Sequence, residues 1–149
     1  MPALNPTSAS IAGERLGTNK LTGKLLYGFA HCVQSIWDIL TTRFNTRVML
    51  LNYGSDVPSL IDKPGNRETF ARFYSAIAVA LQNWEPGFRV TQFNIVDANQ
   101  DGQFTIEMIG IFYPRGHLGD YSVSENATTR FLMAVGQNGV LFTTGPVSP

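Results

Sequence analysis

The chain has 149 residues, which is enough for one domain and too few for two cores of ordinary size. Hydrophobic residues make up 44% of the chain and charged residues 15%, a balance that excludes a natively disordered protein. Eleven basic residues balance eleven acidic ones, which argues against a nucleic-acid binder and favours association into a larger assembly.

The predicted elements begin after an N-terminal arm. Residues 1–24 are rich in Ser, Thr, Gly, Pro and Asn, and they predict an extended segment. A first helix is predicted over residues 28–40, because four apolar residues form one stripe there. Residues 47–51 predict a short extended run. Residues 55–67 predict a loop that contains one helical turn.

The strongest local signal predicts a second helix, Arg67–Trp84. Its apolar stripe spans more than three turns. Asn66 is placed to cap the N-terminus, and Glu68 suits the positive end of the helix dipole. Pro86 and Gly87 then end the helix.

Two hairpins follow the second helix. Residues 88–96 and 103–113 are rich in strand-forming residues and enclose a polar turn with Asp-Gly. Residues 131–135 and 140–143 flank a Gly-Gln-Asn-Gly turn. The sequence therefore predicts an α+β fold, with two main helices packed on a small, mostly antiparallel sheet.

The predicted fold has an extended arm at its N-terminus and a β-hairpin at its C-terminus. The chain divides into the arm, the central domain, and a loop followed by the C-terminal hairpin: residues 1–24, 25–113 and 114–149. The single cysteine excludes an intramolecular disulfide framework, and no apolar run is long enough to span a membrane. The N-terminus lacks the pattern of a signal peptide, so we expect a protein that is made and kept in a reducing cytoplasm.

Three patterns of reactive side chains have ordinary structural alternatives. Residues 97–102 resemble the start of a calcium loop, but the glutamate needed at its twelfth position is missing, and a hairpin turn explains the same residues. Cys32 and His117 could form a nucleophile pair. The ordinary alternative is that Cys32 is a buried thiol and His117 is a histidine in a loop. Glu85 could form a glycosidase pair of carboxylates with Glu107 or with Asp97. The sequence spacing does not single out either pair.

One corner of the predicted fold stands out. Trp84, Glu85 and Pro86 lie together where the long helix meets the sheet, and Arg89 follows within reach of Glu85. This pattern is typical of a helix end with a surface ion pair, worth about 0–1 kcal/mol. It is equally typical of an interaction corner, because tryptophan and arginine are common anchors of protein interfaces.

An ordered series of short motifs extends over about residues 21–112. The series reads Leu21-Thr22-Gly23, His31, Gln34-Ser35-Ile36, Asp38-Ile39-Leu40-Thr41-Thr42, Thr46-Arg47-Val48-Met49, Tyr53-Gly54-Ser55, Leu60-Ile61-Asp62-x-Pro64 and Ala80-Leu81-x-x-Trp84-Glu85-Pro86. It resembles the phage baseplate assembly protein W family, the small wedge and sheath-initiator proteins of contractile tails. The family's usual Glu-Pro-Arg is replaced here by Glu85-Pro86-Gly87, and the first arginine after it is Arg89. The usual Thr-Pro-x-Gly is replaced by Thr42-Arg43-Phe44-Asn45.

The resemblance implies a structural baseplate subunit that is not an enzyme and needs no cofactor or metal. Its contact with the wedge core would involve six residues: Trp84, Glu85, Pro86, Arg89, Arg47 and Tyr53. Its sheet would accept the first sheath ring by β-strand exchange through five positions: Phe131, Met133, Val135, Val140 and Phe142.

The partners implied are other baseplate wedge proteins, the tail sheath protein and tube or hub proteins, without nucleic acid or membrane. Several copies would stand in a ring within a virion tail that is assembled in the host cytoplasm. Three alternatives stay open at this stage. They are the equivalent subunit of a tailocin or type VI secretion baseplate, a small lysozyme-like hydrolase, and a regulatory adaptor with the same fold.

Overall fold

The structure is a computed structural model that describes residues 15–61, 63–98, 104–122, 129–136 and 139–146. Its elements in chain order are β1 (Leu16–Thr18), β2 (Leu25–Tyr27), α1 (Gly28–Thr41), α2 (Val57–Leu60), α3 (Arg67–Trp84), β3 (Phe88–Ala98), β4 (Phe104–Phe112), a 3₁₀ turn (Gly116–Leu118), β5 (Thr129–Gly136) and β6 (Gly139–Pro146). Strands β3 to β6 form one antiparallel sheet in chain order, and β1 pairs with β2 in a separate hairpin. The predicted α+β fold is confirmed.

Helix α3 has the bounds that its sequence predicts. The Asn66 side chain accepts a hydrogen bond from the Thr69 N–H at 2.8 Å, so the predicted cap is present. The helix buries Phe73, Ile77 and Leu81 on the face of the predicted stripe. Local sequence and tertiary packing therefore favour the same helix.

One hydrophobic core lies between the helices and the sheet. Helix α1 contributes Ile36, Ile39 and Leu40, each with no exposed surface. Strand β4 contributes Ile106 and Met108, which are equally buried. Burying one such side chain contributes about 1.5–3 kcal/mol relative to leaving it exposed, so these contacts fix the helices on the sheet.

Strand β3 is irregular, whereas the pairing of β5 with β6 is not. The register of β3 with β4 shifts between Val90 and Gln92, and again between Ile95 and Asp97. Each shift leaves one extra residue on β3, which is the pattern of a β-bulge. The pairing of β5 with β6 runs without a shift over its whole length.

The predicted extended run at residues 47–51 is wrong. The chain turns there, and the Asn45 N–H donates to Leu51 O at 2.9 Å. Because these backbone bonds close within the loop, the segment pairs with none of the described strands. Val48 and Met49 are left 88% and 95% exposed, so their apolar character misled the prediction.

The predicted arm contains a short piece of ordered structure. Strand β1 lies within residues 1–24 and pairs with β2, which lies beyond that boundary. The Gln34 side chain of α1 donates to Thr18 O at 3.0 Å and accepts from the Lys20 N–H at 2.9 Å. These bonds hold the β1–β2 hairpin against α1. The rest of the predicted arm, residues 1–14, lies outside the described residues.

None of the helices in the described part of the chain combines the length and the apolar character needed to cross a bilayer.

Candidate functional site

The predicted corner lies where α3 ends and β3 begins. Trp84 is the last residue of α3, and the Glu85 N–H donates to Leu81 O at 2.8 Å. Pro86 disfavours a helical conformation at the residue before it, so the helix ends at this point. The Phe88 N–H then donates to Glu85 O at 3.1 Å and leads the chain into β3. The Glu85 side chain is buried, with 1% of its surface exposed.

The ionic partner of Glu85 is Arg15, 70 residues earlier in the chain. The Arg15 Nη1 donates to Glu85 Oε1 at 2.6 Å, and 32% of the Arg15 side chain is exposed. The predicted surface pair between Glu85 and Arg89 is wrong, because Glu85 is buried and paired with Arg15 while Arg89 is exposed on β3. Glu85 Oε2 is also buried and has no hydrogen-bond partner among the described residues.

A very small cavity adjoins this ion pair. Arg15, His31, Cys32 and Glu85 help to line it, and its volume is about 10 Å³, close to the size of one water molecule. Burial lowers the pKa of His31, and the nearby Arg15 charge lowers it further. Burial raises the pKa of the Cys32 thiol, and the Glu85 carboxylate adds to that shift. The space is too small for a substrate, and the thiol is held in its unreactive protonated form.

The other candidate chemistry gains no support from the described residues. His117 is exposed in the 3₁₀ turn, whereas Cys32 is buried. The Asn94 side chain donates to Glu107 Oε2 at 2.9 Å, so this carboxylate sits in a cross-strand contact between β3 and β4. The calcium-like stretch lies largely outside the described residues. Within the part of the chain that the structure describes, no three His, Cys, Asp or Glu side chains are grouped as metal ligands.

Two of the predicted wedge-core residues meet around Asp38 on α1. The Tyr53 hydroxyl donates to Asp38 Oδ2 at 2.8 Å, and the Arg47 guanidinium contacts the same oxygen at 2.5 Å. The Arg47 guanidinium also stands 4.1 Å from the centre of the Tyr53 ring. The Tyr53 ring in turn meets Trp84 edge to face, with ring centres 5.1 Å apart. Three predicted residues thus form one aromatic and cationic cluster.

Asp38 was not among the predicted site residues. Its carboxylate organises the cluster, and Lys20 approaches its other oxygen at 3.5 Å. Burial and the hydrogen bond with Asp38 raise the pKa of Tyr53 to about 12. The signal that could have pointed to Asp38 is its place at the start of the motif Asp38-Ile39-Leu40-Thr41-Thr42, directly after the apolar Trp37.

Arg89 lies in a separate group on the surface. Its guanidinium stands 5.7 Å from the centre of the Tyr121 ring, and that ring meets Tyr113 edge to face at 5.3 Å. Pro86, three residues before Arg89, is also exposed. The six predicted residues therefore divide into the Asp38 cluster, the buried Glu85 pair, and the exposed Pro86 and Arg89.

The five predicted sheath-contact positions lie on the last two strands. They are Phe131, Met133 and Val135 on β5, and Val140 and Phe142 on β6. The register places Phe131 opposite Met108 and Met133 opposite Ile106, both of which are buried on β4. At the edge of the sheet, β6 presents its backbone.

Comparison with solved structures places this fold among baseplate proteins. A chain of the postcontracted baseplate of pyocin R2, solved by cryo-electron microscopy, matches with a TM-score of 0.60 and 31% identity, over 66% of this chain and 98% of that one. A putative tail lysozyme from Geobacter sulfurreducens, solved by crystallography, matches with a TM-score of 0.51 over 80% of this chain and 90% of that one. Its identity is 18%, so this second likeness is one of fold alone. The fold is that of a small structural subunit of a contractile tail.

Sequence comparison gives the family. The family described as "Baseplate wedge protein gp25" matches residues 29–110, which is more than half of the chain. Baseplate protein W of Escherichia phage P2 is 36% identical over 96 residues, which cover 64% of this chain and 82% of that protein. The chain belongs to the baseplate wedge protein gp25 family, whose members are structural proteins of contractile tail baseplates. The resemblance stated from the motif series is therefore confirmed.

Proposed function

We propose that this subunit links the baseplate wedge core to the first ring of the tail sheath, and that it starts sheath polymerisation by accepting a strand from a sheath subunit. The observation that carries the proposal is the edge strand β6. Among the described strands it pairs with β5 alone. An eight-residue edge strand extends over roughly 26 Å and presents a row of unpaired backbone donors and acceptors.

The two edges of the sheet differ in a way that favours β6. Strand β3 forms the other edge and carries the two bulges near Thr91 and Val96. Bulges twist an edge and hinder the addition of a further strand, and natural proteins use them for that purpose. Strand β6 has an unbroken register with β5, so it can template a neighbouring strand along its length.

Backbone geometry supplies a test that removes one hydrogen-bond donor from the free edge of the sheet. Gly136 and Gly139 close a two-residue hairpin loop, and such a closing pair exchanges both backbone hydrogen bonds. Bonded and non-bonded pairs alternate along an antiparallel ladder, so the N–H of Thr144 is expected to point away from β5. A proline at this position removes one donor from the free edge and keeps the bonds to β5.

The experiment compares tails assembled with the Thr144→Pro variant and with a Thr144→Val control. We expect Thr144→Pro to fold and to enter the baseplate, and to leave tubes without sheath in electron micrographs. Thr144→Val keeps the N–H and should give complete sheaths. Complete sheaths on Thr144→Pro tails would contradict strand addition at β6.

The wedge-core contact is the second half of the proposal. Pro86 and Arg89 are exposed beside the helix end, and the Arg47 side chain is 45% exposed on the Asp38 cluster. Arginine and aromatic side chains held in fixed positions are typical interface anchors. In this proposal Glu85 acts from inside, by fixing Arg15 against the corner, and does not touch the partner.

Two arginine variants test the wedge-core contact. Arg89→Ala should give a folded subunit that fails to enter the wedge, which is measured by its content in purified baseplates. Arg72→Ala is the matched control, because Arg72 lies exposed on α3 in a pair with Glu68. Equal incorporation of both variants would remove Arg89 from the interface.

The relatives support a tail of either kind. One is a phage protein and the other belongs to a pyocin baseplate. Assembly in the host cytoplasm belongs to the same proposal. The buried and paired state of Glu85 favours a structural role for this acid over the hydrolase alternative.

A further inference from the structure

An open apolar groove runs along α1, on the side that faces the β1–β2 hairpin. Its volume is about 570 Å³, and the residues that line it are mostly apolar. Phe29, Val33 and Trp37 form its floor, and Leu21 and Leu26 form a wall. We call it the α1 groove. None of these side chains belongs to the predicted wedge-core or sheath contacts.

The floor of the α1 groove has the length and spacing of two helical turns. Phe29, Val33 and Trp37 follow one another at intervals of four residues, so they extend over about 12 Å of the helix axis. Phe29 also meets Phe112 edge to face at 5.4 Å, which anchors this end of the floor to the core. A second helix with apolar residues at i, i+4 and i+7 presents a stripe of similar length.

The wall of the groove favours a helix over an extended strand as the occupant. On the hairpin, Thr18 O and the Lys20 N–H are both bonded to the Gln34 side chain. The N–H groups of Leu21 and Thr22 are bonded to Asn19 Oδ1. Because these backbone groups are already satisfied, the wall offers apolar side chains to an occupant. A helix suits such a wall, since its own backbone bonds are internal.

The charge at the groove is positive. Lys20 is the charged residue among the described lining residues, and its ammonium stands 4.9 Å from the centre of the Trp37 ring. Asp38 follows Trp37 in α1 and pairs with both Lys20 and Arg47, so two cations share one carboxylate and an excess of positive charge remains beside the groove. An occupant with carboxylates beside its apolar stripe would therefore complement the positive charge at Lys20.

We propose that the α1 groove is a docking site for an acidic amphipathic helix of another protein. Apolar side chains at helical spacing pack on Phe29, Val33 and Trp37. Carboxylates that flank this stripe face Lys20. The inference concerns a surface apart from the predicted contact residues, and it does not depend on strand addition at β6.

The test uses the purified full chain and three designed peptides of about 18 residues, long enough to form an isolated helix. The first has a leucine stripe at helical spacing with glutamates elsewhere. The second has the same composition in scrambled order, and the third has lysines in place of the glutamates. By isothermal titration calorimetry we expect the acidic helix to bind at least about tenfold more tightly than either of the others.

Two variants and one control connect the binding to the groove. Leu21 is 94% exposed, so Leu21→Glu should fold normally and weaken binding by about tenfold or more. Leu118→Glu is the matched control, because Leu118 is 66% exposed in the 3₁₀ turn, and its affinity should equal that of the parent chain. Lys20→Glu should transfer the preference to the lysine peptide.

Three results would overturn the inference. The first is equal affinity for the acidic and scrambled peptides, including no binding of either. The second is unchanged affinity in Leu21→Glu. The third is self-association of the parent chain that Leu21→Glu abolishes in sedimentation experiments, since the occupant would then be a second copy of this chain. These measurements contain no sheath protein. Their results therefore neither support nor contradict strand addition at β6, which the Thr144→Pro experiment tests separately.

Discussion

The Arg15–Glu85 pair gives the sharpest test of how the residue before β1 is attached to the corner. Arg15→Met keeps most of the side-chain volume and removes the guanidinium from Glu85 Oε1. Removing one partner of a fully buried pair costs about 3–5 kcal/mol, because the remaining charge stays buried without compensation. Arg15 is 32% exposed, so water can replace part of the lost contact. We therefore expect a loss of about 2–3 kcal/mol in the free energy of unfolding.

Urea unfolding followed by tryptophan fluorescence and circular dichroism measures this loss. The midpoint should fall while the dependence on urea stays the same, because the surface exposed on unfolding does not change. A stability of about 5–15 kcal/mol is usual for a domain, so a loss of this size is readily detected.

Two controls make the result specific. Arg72→Met makes the same change in the exposed pair with Glu68 and should cost less than about 0.5 kcal/mol. Arg15→Met combined with Glu85→Leu removes both charges, and it should recover much of the lost stability because no buried charge is left unpaired. If Arg15→Met costs no more than Arg72→Met, the buried ion pair does not exist and the assignment of Arg15 to this corner is refuted.

Two further predictions concern the sheet and the Asp38 cluster. A Cβ at Gly110 would lie 2.4 Å from the Phe88 ring, so Gly110→Ala should destabilise the fold by about 1–3 kcal/mol in urea unfolding. Gly65→Ala places its Cβ 3.8 Å from the nearest side chain and should be almost neutral; equal losses would contradict the close contact at Gly110. The pKa of Tyr53 is about 12 in the folded protein, above its ordinary 10.0, so the folded state holds this proton more tightly than the unfolded chain. The resulting stabilisation is present below pH 10 and is lost as the pH rises towards 12, and Tyr53→Phe should show a shallower decline of stability over that range. An identical decline in both proteins would remove Tyr53 from this effect.

Local signals were sufficient for the long helix and for the hairpins. Helix α3 follows from the cap at Asn66, from its apolar stripe and from the stop at Pro86, all of which act within a few residues. The hairpins follow from strand-forming runs around turn residues. The family, in turn, is indicated by the order of the short motifs along the chain.

Residues 47–51 show where local signals fail. An apolar run of this length fits a buried strand as well as an exposed loop, and periodicity cannot separate the two. The loop closes its own hydrogen bonds between Asn45 and Leu51, and none of the strands that the structure describes pairs with it. The availability of a strand partner is a property of the whole fold.

The corner at Glu85 also has one part that local sequence predicts and one part, its ion pair, that depends on the whole fold. Its acid, its aromatic neighbour and its proline are adjacent in sequence, so the corner itself could be predicted. Its ionic partner was expected at Arg89 because that arginine is near in sequence. The structure places Arg15 there instead, since the β1–β2 hairpin lies against α1 and Arg15 directly precedes β1.

The fold class, the long helix, the hairpins and the family can all be predicted from the chain, because they depend on spacing over short distances and on the order of motifs. Three features emerge only from the packing: the pairing of Arg15 with Glu85, the contact of Asp38 with Arg47 and Tyr53, and the α1 groove. Each of these brings together residues from separate elements. Their meeting is set by the packing of helices on the sheet, which no local pattern in the chain specifies.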